Sequence, residues 1–177
     1  METSPLQTAD IPIIESALPA VKKAAIGRYW RKILGYMSDA VIVYDLDGYI
    51  VYANNSASDN MRYISAEQLM HKNVNDFAER YMFFDESGRH LEMEDLPSRR
   101  AMRENAIIEK IVHVVAAQGN ENFWVASKAF PITDKSRKPK FVVVCYHDIT
   151  SLKKAEEMLK DSNRRIAGIL DDLLKLD

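Results

Sequence analysis

Phe141-Val142-Val143-Val144-Cys145-Tyr146-His147-Asp148-Ile149-Thr150 joins an apolar run to a polar break, and this stretch decides the fold of the chain. The first six residues are mostly β-branched or aromatic, which is typical of a strand inside a sheet. Asp148 and Thr150 carry side chains that accept hydrogen bonds from the free N–H groups of a helix's first turn. The stretch therefore predicts a central strand leading directly into a helix, with Asp148 and Thr150 as candidate signal-relay residues at the junction.

The residues after Thr150 carry one apolar stripe. Its members recur at alternating spacings of three and four, the heptad pattern of a coiled coil; they are Leu152, Ala155, Leu159, Ser162, Ile166, Ile169, Leu173 and Leu176. Because nothing downstream is expected to cover this stripe, a second copy of the chain is its simplest partner. We predict that residues 151–177 form a coiled-coil linker helix that pairs two chains in parallel.

Composition limits the class of protein. The chain has 177 residues, 47% of them hydrophobic, which suffices for one small domain with helical extensions. Its 24 basic and 26 acidic residues nearly cancel, so the net charge gives no reason to expect nucleic acid as a partner. No apolar run approaches the roughly 20 residues of a membrane span. A single cysteine excludes an internal disulfide and a cysteine-cluster metal site, and we expect a cytoplasmic protein.

The N-terminal part divides in two. Residues 1–19 contain Pro5, Pro12 and Pro19 and lack a clear pattern, so we predict a flexible leader. Residues 20–37 are predicted to form an amphipathic helix whose apolar face includes Trp30. Its basic residues leave two alternatives open: the helix packs on its own domain, or it binds a membrane surface or an acidic partner. It is also a possible second dimer interface.

Between these helices the sequence predicts strands interrupted by short helices. Two β-rich runs flank an Asp-Gly turn, which is a strong hairpin signal; they are Ala40–Tyr44 and Tyr49–Ala53. Further strands are predicted at Ile107–Ala116, Phe123–Phe130 and Phe141–His147. Short helices are predicted after Asn54, after Ser65 with a Ser-x-x-Gln capping box, within Lys72–Glu79, and from Asp95 to Asn105. Tyr81–Phe84 is predicted only as a brief extended segment.

Several of these stretches carry a resemblance to a known family. The run from Met37 to Asn54 resembles the opening hairpin of the PAS (sensory-box) family, and Trp124-Val125, Phe130-Pro131-Ile132 and Asp148-Ile149-Thr150 resemble its later strands and its junction to a signalling helix. The resemblance implies an α+β fold over residues 38–150. A five-stranded antiparallel sheet, covered by short helices, would enclose a pocket on its concave face, with the N-terminal and C-terminal helices at its flanks.

The resemblance also directs attention to pocket residues. The ligand-pocket candidates are Met61, Tyr63, Phe77, Met102, His113, Trp124 and Tyr146. They either line an open pocket or fill it. Arg99 and Arg100, at the start of a helix beside the pocket, could clamp a carboxylate, or they pair with nearby acidic residues such as Glu94. We predict no cofactor, while an unknown small-molecule ligand remains possible.

The residues of this chain match the family's known cofactor sites poorly. Flavin photoreceptors of the family use a cysteine on the third short helix, and Val74 stands at that position here. Haem-binding members hold iron through a histidine on or near the helix before the third strand, and Asp95 to Asn105 contains none. No two histidines have the spacing of a zinc site. Cys145, inside a strand, is expected to be a small core residue.

The function classes follow from these observations. The chain has no glycine-rich phosphate loop, no Gly-x-Ser-x-Gly elbow and no kinase signature, so this segment is not expected to be an enzyme. His113 and Ser127 lack a third catalytic group. We predict a sensory and dimerisation module of a signal-transduction protein, for example a histidine kinase of a two-component system, that acts on an effector domain or a downstream signalling protein. The alternatives are a constitutive dimerisation scaffold and a haem or flavin sensor.

Overall fold

The computed structural model describes residues 29–61, 63–118 and 121–174, and these described residues fall into two units, one that ends at Tyr36 and one that begins at Met37. In the first unit residues 29–35 are helical, and Tyr29 and Trp30 are more than half exposed. The predicted leader, residues 1–19, and residues 20–28 of the predicted N-terminal helix lie outside the described residues.

An antiparallel sheet forms the second unit. Within the described residues it has seven strands: β1 (Ala40–Tyr44), β2 (Ile50–Ala53), β3 (Tyr81–Phe84), β4 (His90–Leu91), β5 (Ile108–Ala116), β6 (Asn122–Thr133) and β7 (Pro139–Asp148). Their order across the sheet is β2-β1-β7-β6-β5-β3-β4, and all neighbours pair antiparallel. The predicted α+β class is confirmed, and β7 is central as expected. The predicted count of five strands is wrong, because β3 and β4 extend the edge beyond β5.

The extra strands come from a segment too short to be recognised alone. Tyr81 pairs with Ala116 and Phe84 with His113, so β3 depends on the length of β5 for its hydrogen bonds. A turn then leads into β4, and Asp85 Oδ1 accepts the N–H groups of Ser87 and Arg89 within it. These two residues also donate side-chain hydrogen bonds, which hold the pKa of Asp85 well below its usual range.

Strand β6 runs past Phe130, where the strand was predicted to end, and includes the following proline. Pro131 lies inside β6 and faces Val142 of β7. The pairing of β6 with β5 ends at Ala129, so Pro131 needs no hydrogen-bond donor on that side. A proline is tolerated where a strand has an open edge. Strand β6 therefore continues to Thr133, with β7 as its only neighbour there.

Short helices cover one face of the sheet. The α-helices are α1 (Asn55–Asn60), α2 (Ala66–Leu69), α3 (Pro97–Glu104) and α4 (Thr150–Leu174), and 3-10 helices span Val74–Phe77 and Met93–Asp95. Asn54 caps α1, and its Oδ1 accepts the N–H groups of both Val41 and Ala57. The capping box predicted at Ser65 is wrong, since Ser65 makes no side-chain cap and Gln68 Oε1 accepts the N–H of Ile64.

The core lies between these helices and the sheet. Alternate strand residues point inward, as the pleat requires, and Ile42, Ile50 and Val142 are almost fully buried. Helix α4 differs, because every side chain from Lys154 to Asp171 is exposed. It corresponds to the predicted linker helix, of which residues 175–177 lie outside the described residues. In the described part of the chain, no helix has both the length and the apolar character needed to cross a membrane.

Candidate functional site

An apolar cavity of about 100 Å³ lies between the inner face of the sheet and the short helices. Strands supply most of its wall, and the 3-10 helix at Val74 and the start of α3 supply much of the rest. The lining residues are Tyr44, Met61, Val74, Phe77, Tyr81, Phe83, Met93, Leu96, Pro97, Ser98, Val112, Val114, Phe123, Val125, Ser127, Val144 and Tyr146. Ligand pockets for drug-sized molecules usually measure about 300–1,000 Å³. The cavity therefore suits a small, mainly apolar molecule.

Local sequence signals position the helical part of this wall. Asn73 caps the 3-10 helix at Val74, and Asp76 Oδ2 accepts the N–H of Asn73 in return, which forms a capping box. The cap fixes the helix so that Val74 and Phe77 point into the core, where they are 4% and 3% exposed. Helix α3 starts at Pro97, a residue suited to the first helical position because that position needs no N–H donor.

Three tyrosines bring hydroxyl groups into this apolar site. Tyr81 donates to the carbonyl of Met61 at 3.0 Å, and Tyr146 lies 3.5 Å from the carbonyl of Ala57. The Tyr44 hydroxyl has no hydrogen-bond partner among the described residues, although Tyr44 is only 6% exposed. Burial raises the pKa of Tyr44 and Tyr146 well above the usual value, and the nearby Arg99 partly opposes the rise at Tyr44. Tyr44 and Tyr146 therefore keep their hydroxyl protons at physiological pH.

Arg99 lies directly behind Tyr44. Its guanidinium donates to Asn75 Oδ1 at 2.9 Å, while its Nε is buried without a hydrogen bond. Glu94 Oε1 lies 3.9 Å from that Nε, which is within ion-pair range but too long for a hydrogen bond. Leaving a buried donor unpaired costs about 1–3 kcal/mol, and more for a charged group. Arg99 is therefore an incompletely paired cation beside the cavity, whereas Arg100 pairs with Glu104 at 2.9 Å.

A glycine makes room for this guanidinium. Gly48 has φ +87°, and a Cβ there would lie 3.0 Å from Val74 Cγ1 and 3.4 Å from Arg99 Nη2. Both the backbone conformation and the close approach therefore require glycine at this position. A second void of about 10 Å³ lies here, and Tyr44, Val74 and Ser98 border both it and the cavity.

Five of the seven predicted pocket residues lie in or beside the cavity wall. Met61, Phe77 and Tyr146 lie in the cavity wall. Tyr63 lies behind that wall, with its ring edge-on to Phe77 and Arg80 stacked over it. Met102 borders the small void beside Arg99.

The prediction that His113 and Trp124 line the pocket is wrong. Their neighbours in sequence, including Val112 and Val125, line the cavity. Successive strand residues point to opposite faces, so His113 and Trp124 lie on the outer face of the sheet, where their rings stack at 4.3 Å.

The residues missed at the cavity are mainly strand residues. Val112, Val114, Val125 and Val144 line it, as does Tyr44. Alternate residues of β5, β6 and β7 point to opposite faces of the sheet. This period of two was the signal in the sequence that could have identified the cavity-lining residues. Both faces of these strands carry apolar residues, however, so the period alone does not show which set faces inward.

The relay candidates lie where β7 passes into α4. Asp148 Oδ1 accepts the N–H of Thr150 at 2.8 Å, two residues along the chain. Thr150 Oγ1 accepts the N–H of Trp124 at 2.9 Å, and the N–H of Ile149 donates to the carbonyl of Trp124 at 2.8 Å. The first turn of α4 is thereby fastened to the backbone of β6 at one residue.

A second contact holds the same turn from outside. Lys153 Nζ lies 2.8 Å from Glu86 Oε1 in the β3–β4 turn, and 5.4 Å from the ring centre of Trp124. This hydrogen bond raises the pKa of Lys153. Because the pair is partly exposed to solvent, we expect it to contribute at most about 1 kcal/mol. Beyond Lys153 the side chains of α4 are exposed up to Asp171.

The side chains that would serve flavin or haem chemistry are not at the cavity. Val74 lines it at the third short helix, where the family's photoreceptors carry their cysteine. The four histidines all lie within the described residues, and none of them borders the cavity. Cys145 is half-buried in β7, and burial raises the pKa of its thiol. The described residues contain no group of His, Cys, Asp and Glu able to hold a metal ion.

Comparison with known proteins gives a family and several structural neighbours. Residues 34–154 match the family model described as PAS fold. No match was found among curated protein sequences. The fold is similar to the PAS domain of a protein from Colwellia psychrerythraea, with a TM-score of 0.53 and 21% identity over 75% of this chain and 99% of that one.

Two further solved structures show the same fold. The PAS domain of nitrogen regulation protein NR(II) from Vibrio parahaemolyticus has a TM-score of 0.50 and 17% identity, over 67% of this chain and 96% of that chain. An RNA-binding light-oxygen-voltage receptor has a TM-score of 0.55 and 19% identity, over 92% of this chain and 41% of that chain. At these identities the similarity shows a shared fold alone.

Proposed function

Because the chain belongs to the PAS fold family, we propose that it is the sensory and dimerisation module of a signal-transduction protein, in which a change at the cavity moves the exit helix α4. In this proposal the module is cytoplasmic and not itself an enzyme. It acts on an attached effector or a downstream protein, for example a histidine kinase of a two-component system. The similar PAS domain of a nitrogen regulation protein supports a regulatory role.

The observation that carries this proposal is the double role of one stretch of β6. Phe123 and Val125 line the cavity, while Trp124 between them holds Ile149 and Thr150 through its backbone. A ligand that displaces the inner face of β6 therefore displaces the backbone to which α4 is fastened. Packed cores have discrete arrangements and do not deform continuously, so a small displacement here can shift the helix between two positions.

The exposed stripe on α4 supports pairing with a second chain. Leu152, Leu159, Ile166 and Ile169 are each more than half exposed. Burying a large aliphatic side chain contributes about 1.5–3 kcal/mol relative to leaving it in water. Most of the stability of a helix in a protein comes from the packing of its apolar face, which α4 lacks in the single chain. A parallel homodimer along α4 would bury the stripe and would bring both sheets to one end.

A constitutive dimerisation scaffold is the second candidate, and the small cavity volume favours it. At about 100 Å³ the cavity is well below the size of common ligand pockets, so its side chains fill most of the site. In a scaffold the sheet and α4 would be joined but would not respond to changes at the cavity. The two candidates therefore differ in whether the inner face of β6 is coupled to α4.

Two valine substitutions test this difference. Val125→Leu adds one methylene into the cavity wall on β6, while Val143→Leu adds the same methylene on the outer face of β7. The readout is hydrogen exchange of the amides in the first three turns of α4. The sensor proposal predicts that Val125→Leu changes this exchange and that Val143→Leu does not. Equal exchange in both variants and in the wild type would favour the scaffold.

A further inference from the structure

One end of the cavity gathers hydrogen-bond donors in an otherwise apolar wall. Tyr44 is only 6% exposed and its hydroxyl has no hydrogen-bond partner among the described residues, and Ser98 borders the same corner. Ser98 lies in the first turn of α3, an eight-residue helix whose N-cap residue, Leu96, makes no side-chain hydrogen bond to it. The first N–H groups of a helix favour a negatively charged partner. The hydroxyl groups of Tyr44 and Ser98 can donate hydrogen bonds to an acceptor, and the start of α3 favours one that is negatively charged.

A positive charge lies directly behind these donors. The Arg99 guanidinium borders the small void that shares Tyr44, Val74 and Ser98 with the cavity, and its Nε is buried without a hydrogen bond. Its ion pair with Glu94 is long, at 3.9 Å, and the Glu94 side chain is 70% exposed. The described residues that line the cavity and the void include no Asp or Glu. A cationic ligand would thus find no counter-charge, whereas an anion would find Arg99.

We propose that the cavity binds a small monocarboxylic acid with a compact apolar body, with its carboxylate at the corner formed by Tyr44, Ser98 and Arg99. The apolar body occupies the space between Phe77, Val112 and Val125. Tyr44 and Ser98 donate to the carboxylate, and Arg99 supplies the charge directly or through one water molecule in the small void. This inference rests on the proposed sensory function and specifies the chemical class of its ligand.

The size of the site narrows this class further. A cavity of about 150 Å³ in another protein accommodates benzene, so the cavity of about 100 Å³ suits an apolar body smaller than benzene. Met61 and Met93 lie in the wall, and methionine side chains adapt readily to the shape of a ligand. Isobutyrate is therefore the probe that matches this volume, and benzoate is a larger probe that requires Met61 and Met93 to move aside. Isobutyramide and benzyl alcohol are their uncharged counterparts.

Calorimetric titration of the full chain tests the inference. The wild type is titrated with isobutyrate and benzoate and with the two neutral counterparts. The variants are Arg99→Gln, which removes the charge, Arg99→Lys, which keeps it, and Tyr44→Phe. Arg100→Gln is the matched control, because Arg100 is adjacent in α3 and pairs with Glu104 instead. Circular dichroism of each variant checks that it is folded.

We expect at least one acid to bind the wild type with a Kd below about 1 mM and its neutral counterpart to bind at least about tenfold more weakly. Arg99→Gln should abolish this preference, Arg99→Lys should retain part of it, and Arg100→Gln should leave it unchanged. Equal binding of acid and neutral probe, or a preference that persists in folded Arg99→Gln, would overturn the inference.

Failure of this inference is distinguishable from failure of the proposed function. If neither acid binds up to about 10 mM, the ligand class is wrong. A wild type that still sediments as a dimer, with α4 still responsive to Val125→Leu, would then leave the sensory proposal standing. If an acid binds but Val125→Leu leaves the hydrogen exchange of α4 unchanged, the result supports the ligand class and counts against the proposed coupling of the cavity to α4.

Discussion

Trp124 is the residue at which the cavity wall and the exit helix meet. Its side chain lies on the outer face beside Lys153, its sequence neighbours line the cavity, and its backbone bonds to Ile149 and Thr150. The sequence identified Trp124 as a functional residue but assigned it to the wrong face. A shift of one residue in a strand moves every side chain to the opposite face, and β6 is apolar on both. Only the packing of the helices determines which face is inside.

Asp148 accepts a hydrogen bond at the start of α4, and its substitution tests the junction between β7 and that helix. Asp148→Ala removes the acceptor for the Thr150 N–H, and loss of a helix cap of this kind typically costs about 1 kcal/mol. A domain with a stability of about 5–15 kcal/mol remains folded after such a loss. We therefore expect faster hydrogen exchange in the first turn of α4 and unchanged exchange in β1 and β5. Asp161→Ala, within α4 and away from the sheet, is the control. Unchanged protection of α4, or unfolding of the whole domain, would contradict the junction role.

Val74 provides the second prediction. It lines the cavity at the position where the family's photoreceptors carry a reactive cysteine, and no histidine borders the cavity among the described residues. The purified protein should therefore be colourless and should not respond to blue light. An absorption spectrum of freshly purified protein checks this. A flavin or Soret band at near-stoichiometric occupancy would show that the cavity opens far beyond its present volume.

At the scale of elements, the strands and helices that could be predicted are those marked by a sequence signal within the element or its own turn. The Asp-Gly turn located β1 and β2 because Asp45 Oδ1 accepts the N–H groups of Asp47 and Tyr49 within the turn itself. The β3–β4 hairpin was not predicted as part of the sheet, because its stability depends on pairing with β5 about 30 residues away. The end of β6 was predicted too early for a related reason. Pro131 fits inside the strand only because β5 begins at Ile108 and leaves that edge of β6 unpaired beyond Ala129.

Helix α4 was predictable because its heptad pattern is local, but its stripe is uneven. Ala155 and Ser162 make the first half a poor seam, whereas Ile166 and Ile169 make the second half strong. The charges of residues 151–177 balance at six basic and six acidic, so net repulsion does not oppose pairing. A seam of uneven strength can change register, which suits a helix that transmits a signal.

Ser162→Leu provides the prediction for this element. It places a large apolar side chain in the weak half of the seam, so the dimer dissociation constant should fall by about tenfold or more. The dimer should also favour one output state. Asn163→Leu, at the next position and outside the a and d positions of the heptad, is the control. Analytical ultracentrifugation over a dilution series measures the change. An equal effect of both substitutions would contradict the assigned register.

At the scale of the whole molecule, the fold was predictable and the lining of the cavity only in part. The order of strands and helices follows from the pattern of residues, and the family resemblance added the pocket. The donor corner formed by Tyr44, Ser98 and Arg99 joins residues more than 50 positions apart, and Gly48 makes room for it only in the folded protein. Single residues in the sequence do not reveal such convergence, which is why Tyr44 was missed.

The proposed signalling role depends on dimerisation through α4, and sedimentation velocity of the wild type and two variants at tens of micromolar tests this pairing directly. Ile166→Glu places a charge in the seam, whereas Gly168→Glu places the same charge where a new side chain meets nothing within 4 Å. We expect the wild type and Gly168→Glu to sediment as dimers and Ile166→Glu to sediment as a monomer with an intact fold. A monomeric wild type, or an Ile166→Glu variant that dimerises as tightly as the wild type, would contradict it.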